Sequence, residues 1–214
     1  MLKGVAVFGG LTDDDIGILT ERAATRTYPK GAVIVNEGDE GNSLFLIQSG
    51  AVKVYLSDEK GKEVVLSTEG PGEYFGELAL FDEAPRSSSV AALESCRVMI
   101  VTKAQLQETI RERPQISLAL LKGLSTRVRM LTESVRSLAL LDVFGRLVKT
   151  LYSLANEKDG VLIIDQKLTQ QDLANRIGAS REMVSRIMHD LVAGNYISLE
   201  GRRIVILKKI PPNW

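Results

Sequence analysis

Short apolar runs separated by glycine-containing turns fill the chain from about residue 31 to residue 103. The runs are rich in β-branched residues and lie at 33–35, 44–47, 51–56, 63–66 and 98–101. Turn signals separate them at 37–41, 49–50, 58–61 and 69–72. Closely spaced short strands with such turns are typical of an all-β sandwich or jelly roll, so we predict a β-roll. A short helical pattern precedes it, with Thr12 as the predicted N-cap and Ile16, Leu19 and Ala23 on one face.

A regular heptad pattern follows the β-roll. Six apolar residues recur at spacings of 3, 4, 3, 4 and 3: Leu121, Leu124, Val128, Leu131, Val135 and Leu138. One interpretation is a long helix packed on its own β-roll. The stripe is narrow, however, and a narrow seam suits a partner helix better than a broad core face. We therefore favour the seam of a parallel homodimer.

A second helical pattern begins at Asp142, a predicted N-cap, and continues through Leu147, Leu151 and Leu154. We place a domain boundary near Asp142. Residues 156–160 indicate a turn, and residues 161–164 indicate a short strand.

Two short helices with a glycine turn between them are predicted next. Thr169 and Asp172 fit the capping-box pattern and open a helix that runs to residue 177. Residues 178–179 supply a tight turn, and Ser180 caps a second helix over residues 181–193. Such a pair is a helix-turn-helix, whose second helix presents its N-terminal residues to DNA base edges.

The second of these helices has two distinct faces. One is polar and carries Arg181, Glu182, Ser185 and Arg186. The other is apolar and is predicted to be buried, with Met183, Val184, Ile187 and Leu191. Arginine can bond guanine through two N–H groups, and glutamate can accept from the cytosine amino group. Ser180 and the first-helix residues Thr169 and Gln170 complete the predicted DNA-binding set; the alternative is a solvated helix face.

A hairpin with a basic tip ends the chain. Residues 196–199 and 202–207 indicate its strands, and residues 200–201 its turn. Arg202 and Arg203 near the tip suit contacts to DNA phosphates, which position a protein without reading sequence. The hairpin is therefore the predicted wing of a winged helix-turn-helix. His189 late in the preceding helix is interpreted as a bystander.

Charge and composition agree with a sensor followed by a DNA-binding module. Residues 1–142 contain 16 basic and 20 acidic residues, and residues 143–214 contain 11 and 7, so the net charges are −4 and +4. Chance asymmetry is the alternative. No apolar run is long enough to span a membrane, and the acidic residues 13–15 spoil a signal-peptide pattern. We expect a cytoplasmic protein without a membrane partner.

The chain has one cysteine, Cys96, and one histidine, His189. An intrachain disulfide and an all-histidine metal site are therefore excluded, and no metal is expected. A metal enzyme built on the β-roll would need clustered histidines, and this roll has none. We predict that the protein is not an enzyme.

Residues 72–90 combine groups that suit a small phosphorylated ligand. Backbone N–H groups from Gly76 to Ala79 can form an anion-binding nest. Arg86 can pair with a phosphate, Ser87 can add a hydroxyl hydrogen bond, and Glu77 can accept from sugar hydroxyls. The alternative is a structural ion pair between arginine and glutamate.

This stretch resembles the phosphate-binding cassette of cyclic-nucleotide-binding domains, through residues 75–80 and Pro85-Arg86. Residues 138–146 resemble the hinge, and residues 180–186 the recognition helix, of the cyclic AMP receptor protein and fumarate–nitrate regulator family. The resemblance covers nearly the whole chain. It implies an α+β architecture: a jelly-roll cyclic-nucleotide-binding domain over residues 1–113, a dimerisation helix over 114–141 and a winged helix-turn-helix over 142–214.

The resemblance also implies a function and a ligand set. Glu77 would bind the ribose 2′-hydroxyl, and Arg86 and Ser87, with backbone at Gly76 and Leu78, would bind the cyclic phosphate. The family places two polar dimer-helix residues against the base, and Leu131 and Thr132 stand at these positions; the leucine departs from the pattern.

The implied protein is a homodimeric regulator of double-stranded DNA with TGTGA-like palindromic sites. Its implied effector is cyclic AMP, with cyclic GMP and cyclic di-GMP as alternatives, and RNA polymerase is a candidate partner. A sensor domain that has become a ligand-independent scaffold is a further alternative.

Overall fold

The computed structural model describes residues 17–18, 23–158, 160–201 and 203–211. Most of the predicted N-terminal helix capped by Thr12 lies outside these residues, and only its positions 17, 18 and 23 are described. The chain divides into two compact units. The first comprises Met1–Asp58 and Leu66–Leu131, and the second comprises Glu59–Val65 and Thr132–Trp214.

Eight strands form two antiparallel four-stranded sheets, which confirms the predicted β-roll. They are β1 (Ala24–Tyr28), β2 (Val33–Val35), β3 (Ser43–Ser49), β4 (Val52–Ser57), β5 (Glu63–Glu69), β6 (Tyr74–Phe75), β7 (Ser89–Ala92) and β8 (Cys96–Thr102). The strand orders are β1-β8-β3-β6 and β2-β7-β4-β5. Apolar side chains from both sheets, including Phe45, Ile47, Val52, Phe75 and Val98, form one buried cluster between them.

Three helices follow or interrupt the strands: α1 (Leu78–Phe81), α2 (Lys103–Glu112) and α3 (Gln115–Leu140). The sequence analysis did not predict α1 or α2. Thr102 caps α2 through a capping box with Gln105. A second buried cluster packs Leu106 of α2 and Leu120 of α3 against β3 and β8, so the helices cover one face of the roll.

The long helix α3 is covered by its own chain only at its beginning. Its buried residues are Ile116, Ala119, Leu120 and Gly123. Further along, the heptad residues are exposed, among them Val128 (62%), Leu131 (45%), Val135 (65%) and Leu138 (53%). The described part of the chain therefore does not bury this stripe in its own core.

From residue 143 onward, the described part of the second unit forms three helices and a four-stranded sheet. Its elements are α4 (Val143–Leu154), β9 (Asn156–Lys158), β10 (Val161–Ile164), α5 (Gln170–Ile177), α6 (Arg181–Ala193), β11 (Ile197–Glu200) and β12 (Arg203–Ile206). The strand order is β11-β12-β10-β9. Asn156–Lys158 was predicted as part of a turn, and this was wrong: these residues pair antiparallel with β10. A polar sequence is tolerated there because the strand lies at the sheet edge and all three residues are exposed.

The predicted helix caps of this unit are confirmed. The Asp142 carboxylate accepts from the Gly145 N–H at 2.7 Å. Thr169 forms a capping box with Asp172, and the Ser180 hydroxyl accepts from the Met183 N–H at 3.2 Å. These short polar side chains satisfy N–H groups that a helix start leaves without intrahelical partners.

One predicted core residue of α6 is not buried. Met183 is 38% exposed, whereas Val184, Ile187 and Leu191 are buried as predicted and Met188 joins them. Residues 184, 187, 188 and 191 follow the i, i+3, i+4, i+7 pattern of one helix face. Met183 precedes that stripe by one residue and therefore lies at its edge.

Candidate functional site

The first unit contains a cavity of about 320 Å³ beside α1. It gathers most of the predicted ligand-binding residues: Gly76, Glu77, Leu78, Ala79, Arg86, Ser87 and Leu131. Thr132, the other predicted residue, belongs to the second unit and is exposed. The remaining wall is mainly apolar, with Val54, Leu56, Leu66 and Met130. A mostly apolar cavity with a few convergent polar groups is the usual form of a small-molecule site.

Arg86 lies at the polar end of this cavity and is only 7% exposed. Its guanidinium donates to the Gly76 carbonyl at 2.5 Å and to the Ser43 carbonyl at 2.9 Å. Burial lowers its pKa, and the nearby Glu77 carboxylate opposes that shift. A guanidinium has five N–H donors, so two bonds to backbone carbonyls leave donors for an anion.

Two glycines make room for the Arg86 side chain. Gly76 has φ +80°, and a Cβ there would lie 2.5 Å from Arg86 Nη1. A Cβ on Gly41 would lie 2.8 Å from Arg86 Nε and 2.4 Å from Ala79 Cβ. Gly41 was not singled out from the sequence, because its role depends on a close approach between segments far apart in the chain.

Glu77 is buried, with 3% exposure, and its partner is Arg127 of α3. Arg127 Nη1 lies 2.6 Å from Glu77 Oε1. The same guanidinium donates to the Tyr74 carbonyl and lies 4.7 Å from the centre of the Tyr74 ring. Burial works against the charge of Arg127, but the carboxylates of Glu77 and Glu69 outweigh it and raise its pKa. Sequence reasoning missed Arg127 because its partner Glu77 is 50 residues away in the chain.

Glu69 is a second buried carboxylate in the cavity wall, with 3% exposure. The Ser67 hydroxyl donates to Glu69 Oε1 at 2.7 Å. Arg127 Nη2 lies 3.7 Å from the same oxygen. Burial raises the pKa of Glu69, although the charge of Arg127 opposes the shift. Sequence reasoning did not identify this residue either.

The second unit presents the predicted DNA-reading face of α6. Arg181, Glu182 and Arg186 are exposed there, and Ser185 is half-buried. The face is accessible, as base contacts require. The hydroxyls of Thr169 and Ser180 hold the starts of α5 and α6, and Gln170 is exposed at the first turn of α5. The His189 side chain, at 82% exposure, fits its interpretation as a bystander.

The hairpin of β11 and β12 forms the predicted wing. Arg203 is exposed, and its Nε lies 2.9 Å from Asp165 Oδ1. Lys158 bonds the same carboxylate. The two cations lower the pKa of Asp165, with the bond from Lys158 as the largest cause. Arg202, the other predicted phosphate contact, lies outside the described residues.

The residues that the structure describes contain neither a membrane-spanning helix nor a metal-binding cluster. None of the helices there is both long enough and apolar enough to cross a membrane. Nor do three or more histidine, cysteine, aspartate or glutamate side chains cluster there in a way that could hold a metal ion.

A β-roll with a polar-ended cavity and a winged helix-turn-helix with an exposed basic recognition face together define a ligand-responsive transcription regulator. Residues 25–113 match the cyclic nucleotide-binding domain, and residues 145–209 match the Crp-like helix-turn-helix domain. The chain belongs to the cyclic AMP receptor protein and fumarate–nitrate regulator family, as the sequence motifs predicted. This is a family of DNA-binding transcription regulators and not of enzymes.

Similarity to individual members extends over nearly the whole chain. The chain is 34% identical to a CRP-like cAMP-activated global transcriptional regulator of Mycobacterium tuberculosis, over 96% of this chain and 94% of the relative. It is also 34% identical to the cAMP-activated global regulator CRP of Salmonella typhimurium, over 91% and 95% of the two chains. The structure of the c-di-GMP responsive regulator CLP of Xanthomonas campestris is similar, with a TM-score of 0.82, 26% identity and coverage of 92% and 100%.

Proposed function

We propose that the protein is a cytoplasmic homodimer that binds palindromic DNA in response to a cyclic nucleotide, with cyclic AMP as the first candidate. The observation that carries this proposal is the cavity, which gathers the residues of the phosphate-binding cassette around a buried arginine. The cAMP-activated relatives support the choice of nucleotide. RNA polymerase is then the expected partner at promoters.

The proposed pose places the cyclic phosphate at Arg86 and Ser87, beside the backbone from Gly76 to Ala79. Arg86 has N–H donors beyond those that bond the two carbonyls, and a charge-assisted bond to phosphate would use them. The ribose 2′-hydroxyl would donate to Glu77. The base would lie against the apolar wall, where Leu131 offers contact area but no hydrogen bond.

Cyclic di-GMP is the second candidate effector, because the similar regulator CLP responds to it. A cyclic dinucleotide carries two phosphates and two bases. The cavity supplies Arg86 and Ser87 at one polar end, a set that suits a single phosphate. This arrangement favours a mononucleotide.

The exposed apolar stripe of α3 supports the homodimer. Val128, Leu131, Val135 and Leu138 are each about half exposed or more in the single chain. Large exposed apolar stripes at heptad spacing are unfavourable in water unless a partner helix covers them. A parallel two-fold pair would present two copies of α6 to half-sites whose centres lie about 10 bp apart.

Binding measurements test the proposal directly. Calorimetry with cyclic AMP, cyclic GMP and cyclic di-GMP identifies the effector, and fluorescence anisotropy on a duplex with TGTGA-like half-sites measures DNA affinity with and without it. We expect saturable binding of cyclic AMP and tighter DNA binding in its presence. Ser87→Ala should weaken nucleotide binding and leave the dimer intact in sedimentation. If none of the three nucleotides binds, the proposed effector is wrong, and the sensor is either a scaffold or a site for a different ligand.

A further inference from the structure

Two buried glutamates line the cavity, and the proposed ligand contacts use only one of them. Glu77 is assigned to the ribose, whereas Glu69 has no part in that pose. Both carboxylates are buried, and both line the cavity. Burying a carboxylate is costly unless it is paired, so a second buried carboxylate needs a physical reason.

Arg127 connects the two carboxylates. One end of its guanidinium, Nη1, is bonded to Glu77 at 2.6 Å, and the other end, Nη2, lies 3.7 Å from Glu69. The guanidinium also packs on the Tyr74 ring and donates to the Tyr74 carbonyl, so it stays between the two carboxylates. A movement of roughly 1 Å would bring Nη2 to hydrogen-bond distance from Glu69.

Ribose binding would create a competition at Glu77. In the structure, Glu77 Oε1 accepts a charge-assisted bond from Arg127. A sugar hydroxyl that needs the same carboxylate must share it with Arg127 or displace it. Displacement alone would leave a largely buried guanidinium without its closest counter-charge, which is strongly unfavourable.

Building on the proposed function, we propose that Glu69 is a positioning residue that takes over the Arg127 guanidinium when the ribose of a cyclic nucleotide binds Glu77. The exchange replaces one charged bond by another, so Glu77 is released at little cost. Ser67 holds Glu69 Oε1 on the side of the cavity where Nη2 lies. Because burial keeps Glu69 poorly solvated, a closer approach of Arg127 also favours its charged form.

The test compares cyclic AMP with 2′-deoxy cyclic AMP, which lacks the hydroxyl that Glu77 is proposed to bind. Calorimetry gives the affinity of both nucleotides for the wild type, Glu69→Gln and Glu83→Gln. Wild type should prefer cyclic AMP about tenfold or more, as expected for a hydrogen bond to a charged group. In Glu69→Gln this preference should fall roughly fivefold or more, because glutamine holds Arg127 less well and Glu77 stays engaged.

Using the ratio of two affinities removes a confounding effect. Loss of a negative charge favours any anionic ligand, and it does so equally for both nucleotides. Glu83→Gln is the charge-matched control: Glu83 is exposed, its Oε1 lies 2.6 Å from Lys103 Nζ, and it does not line the cavity. Its ratio should equal that of the wild type. If Glu69→Gln does not fold, Glu69→Asp, which keeps the charge but withdraws it from Arg127, should show an intermediate ratio.

The outcomes separate this inference from the proposed function. If the wild type binds neither nucleotide, the proposed effector is wrong and the role of Glu69 falls with it. If both bind and Glu69→Gln leaves the ratio unchanged, Glu77 serves Arg127 and the hydroxyl together, and only the inference about Glu69 is overturned. A fall in the ratio confined to the Glu69 variants supports the exchange.

Discussion

Arg86 has two proposed roles, one in stability and one in nucleotide binding, and each can be measured separately in a single variant. The residue is proposed to bind the effector phosphate, but its guanidinium also bonds the carbonyls of Gly76 and Ser43 at 2.5 and 2.9 Å. The bond to Ser43 joins Arg86 to β3 across 43 residues of sequence. We therefore predict that Arg86→Leu lowers the stability of the nucleotide-free protein as well as abolishing nucleotide binding.

The magnitude follows from the two acceptors. Each of these two part-buried carbonyls costs about 1–3 kcal/mol when it is left without a donor. Burying a leucine instead of a guanidinium offsets about 1.5–3 kcal/mol of the total. With mid-range values the net destabilisation is about 2 kcal/mol, which corresponds to roughly 4–8 °C in melting temperature for a chain of this size.

Thermal unfolding followed by circular dichroism, without nucleotide, measures this effect. Ser87→Ala is the control, because Ser87 lines the same cavity but is exposed, and its variant should melt with the wild type. Nucleotide binding is then measured well below both melting temperatures. An Arg86→Leu protein that melts at the wild-type temperature would refute the structural role, since the two carbonyls would then have found other donors.

Three further predictions concern the cavity and the DNA-binding unit. Gly41→Ala would place a Cβ 2.4 Å from that of Ala79, so we expect thermal unfolding to show a loss of about 1–3 kcal/mol in stability and calorimetry to show weaker effector binding; wild-type stability would contradict the tight packing. Arg181→Ala should cost about 1–3 kcal/mol on the preferred operator and relax selection at one base position, and an equal loss on all sequences in competition assays would make it a phosphate contact. Arg203→Gln should lower the slope of log K against log salt concentration by about 0.9, with Asp165→Asn as the control that keeps the arginine; an unchanged slope would put Arg203 outside the interface.

The second unit could be predicted well from sequence because its signals are local. The caps at Asp142, Thr169 and Ser180 each involve a bond over three residues, which a sequence pattern can show. Helix α6 could also be predicted locally, because its buried residues recur at helical spacing along one face. The failure at Asn156–Lys158 has the same origin: an exposed edge strand carries no apolar alternation, so local pattern cannot distinguish it from a turn.

The cavity was harder to predict because its polar contacts join distant segments. Glu77 and Arg127 are 50 residues apart, and Arg86 and Ser43 are 43 apart. Resemblance supplied the cassette residues, but it gave no reason to pair one of them with α3. Gly41 likewise matters only because the Arg86 side chain crosses it. No periodicity within one element contains this information.

The residues that α3 contributes to the cavity provide a physical link between ligand binding and the proposed dimer interface. Arg127, Met130 and Leu131 line the cavity, and Leu131 is also a heptad residue of the exposed stripe. A ligand shifts a conformational equilibrium only by as much as it binds one state better than the other. An effector in this cavity would contact the helix that carries the stripe, so a change in the position of α3 would change its affinity. The ion pair between Glu77 and Arg127 provides the specific connection: Arg127 belongs to α3, so a change at Glu77 alters a contact of that helix.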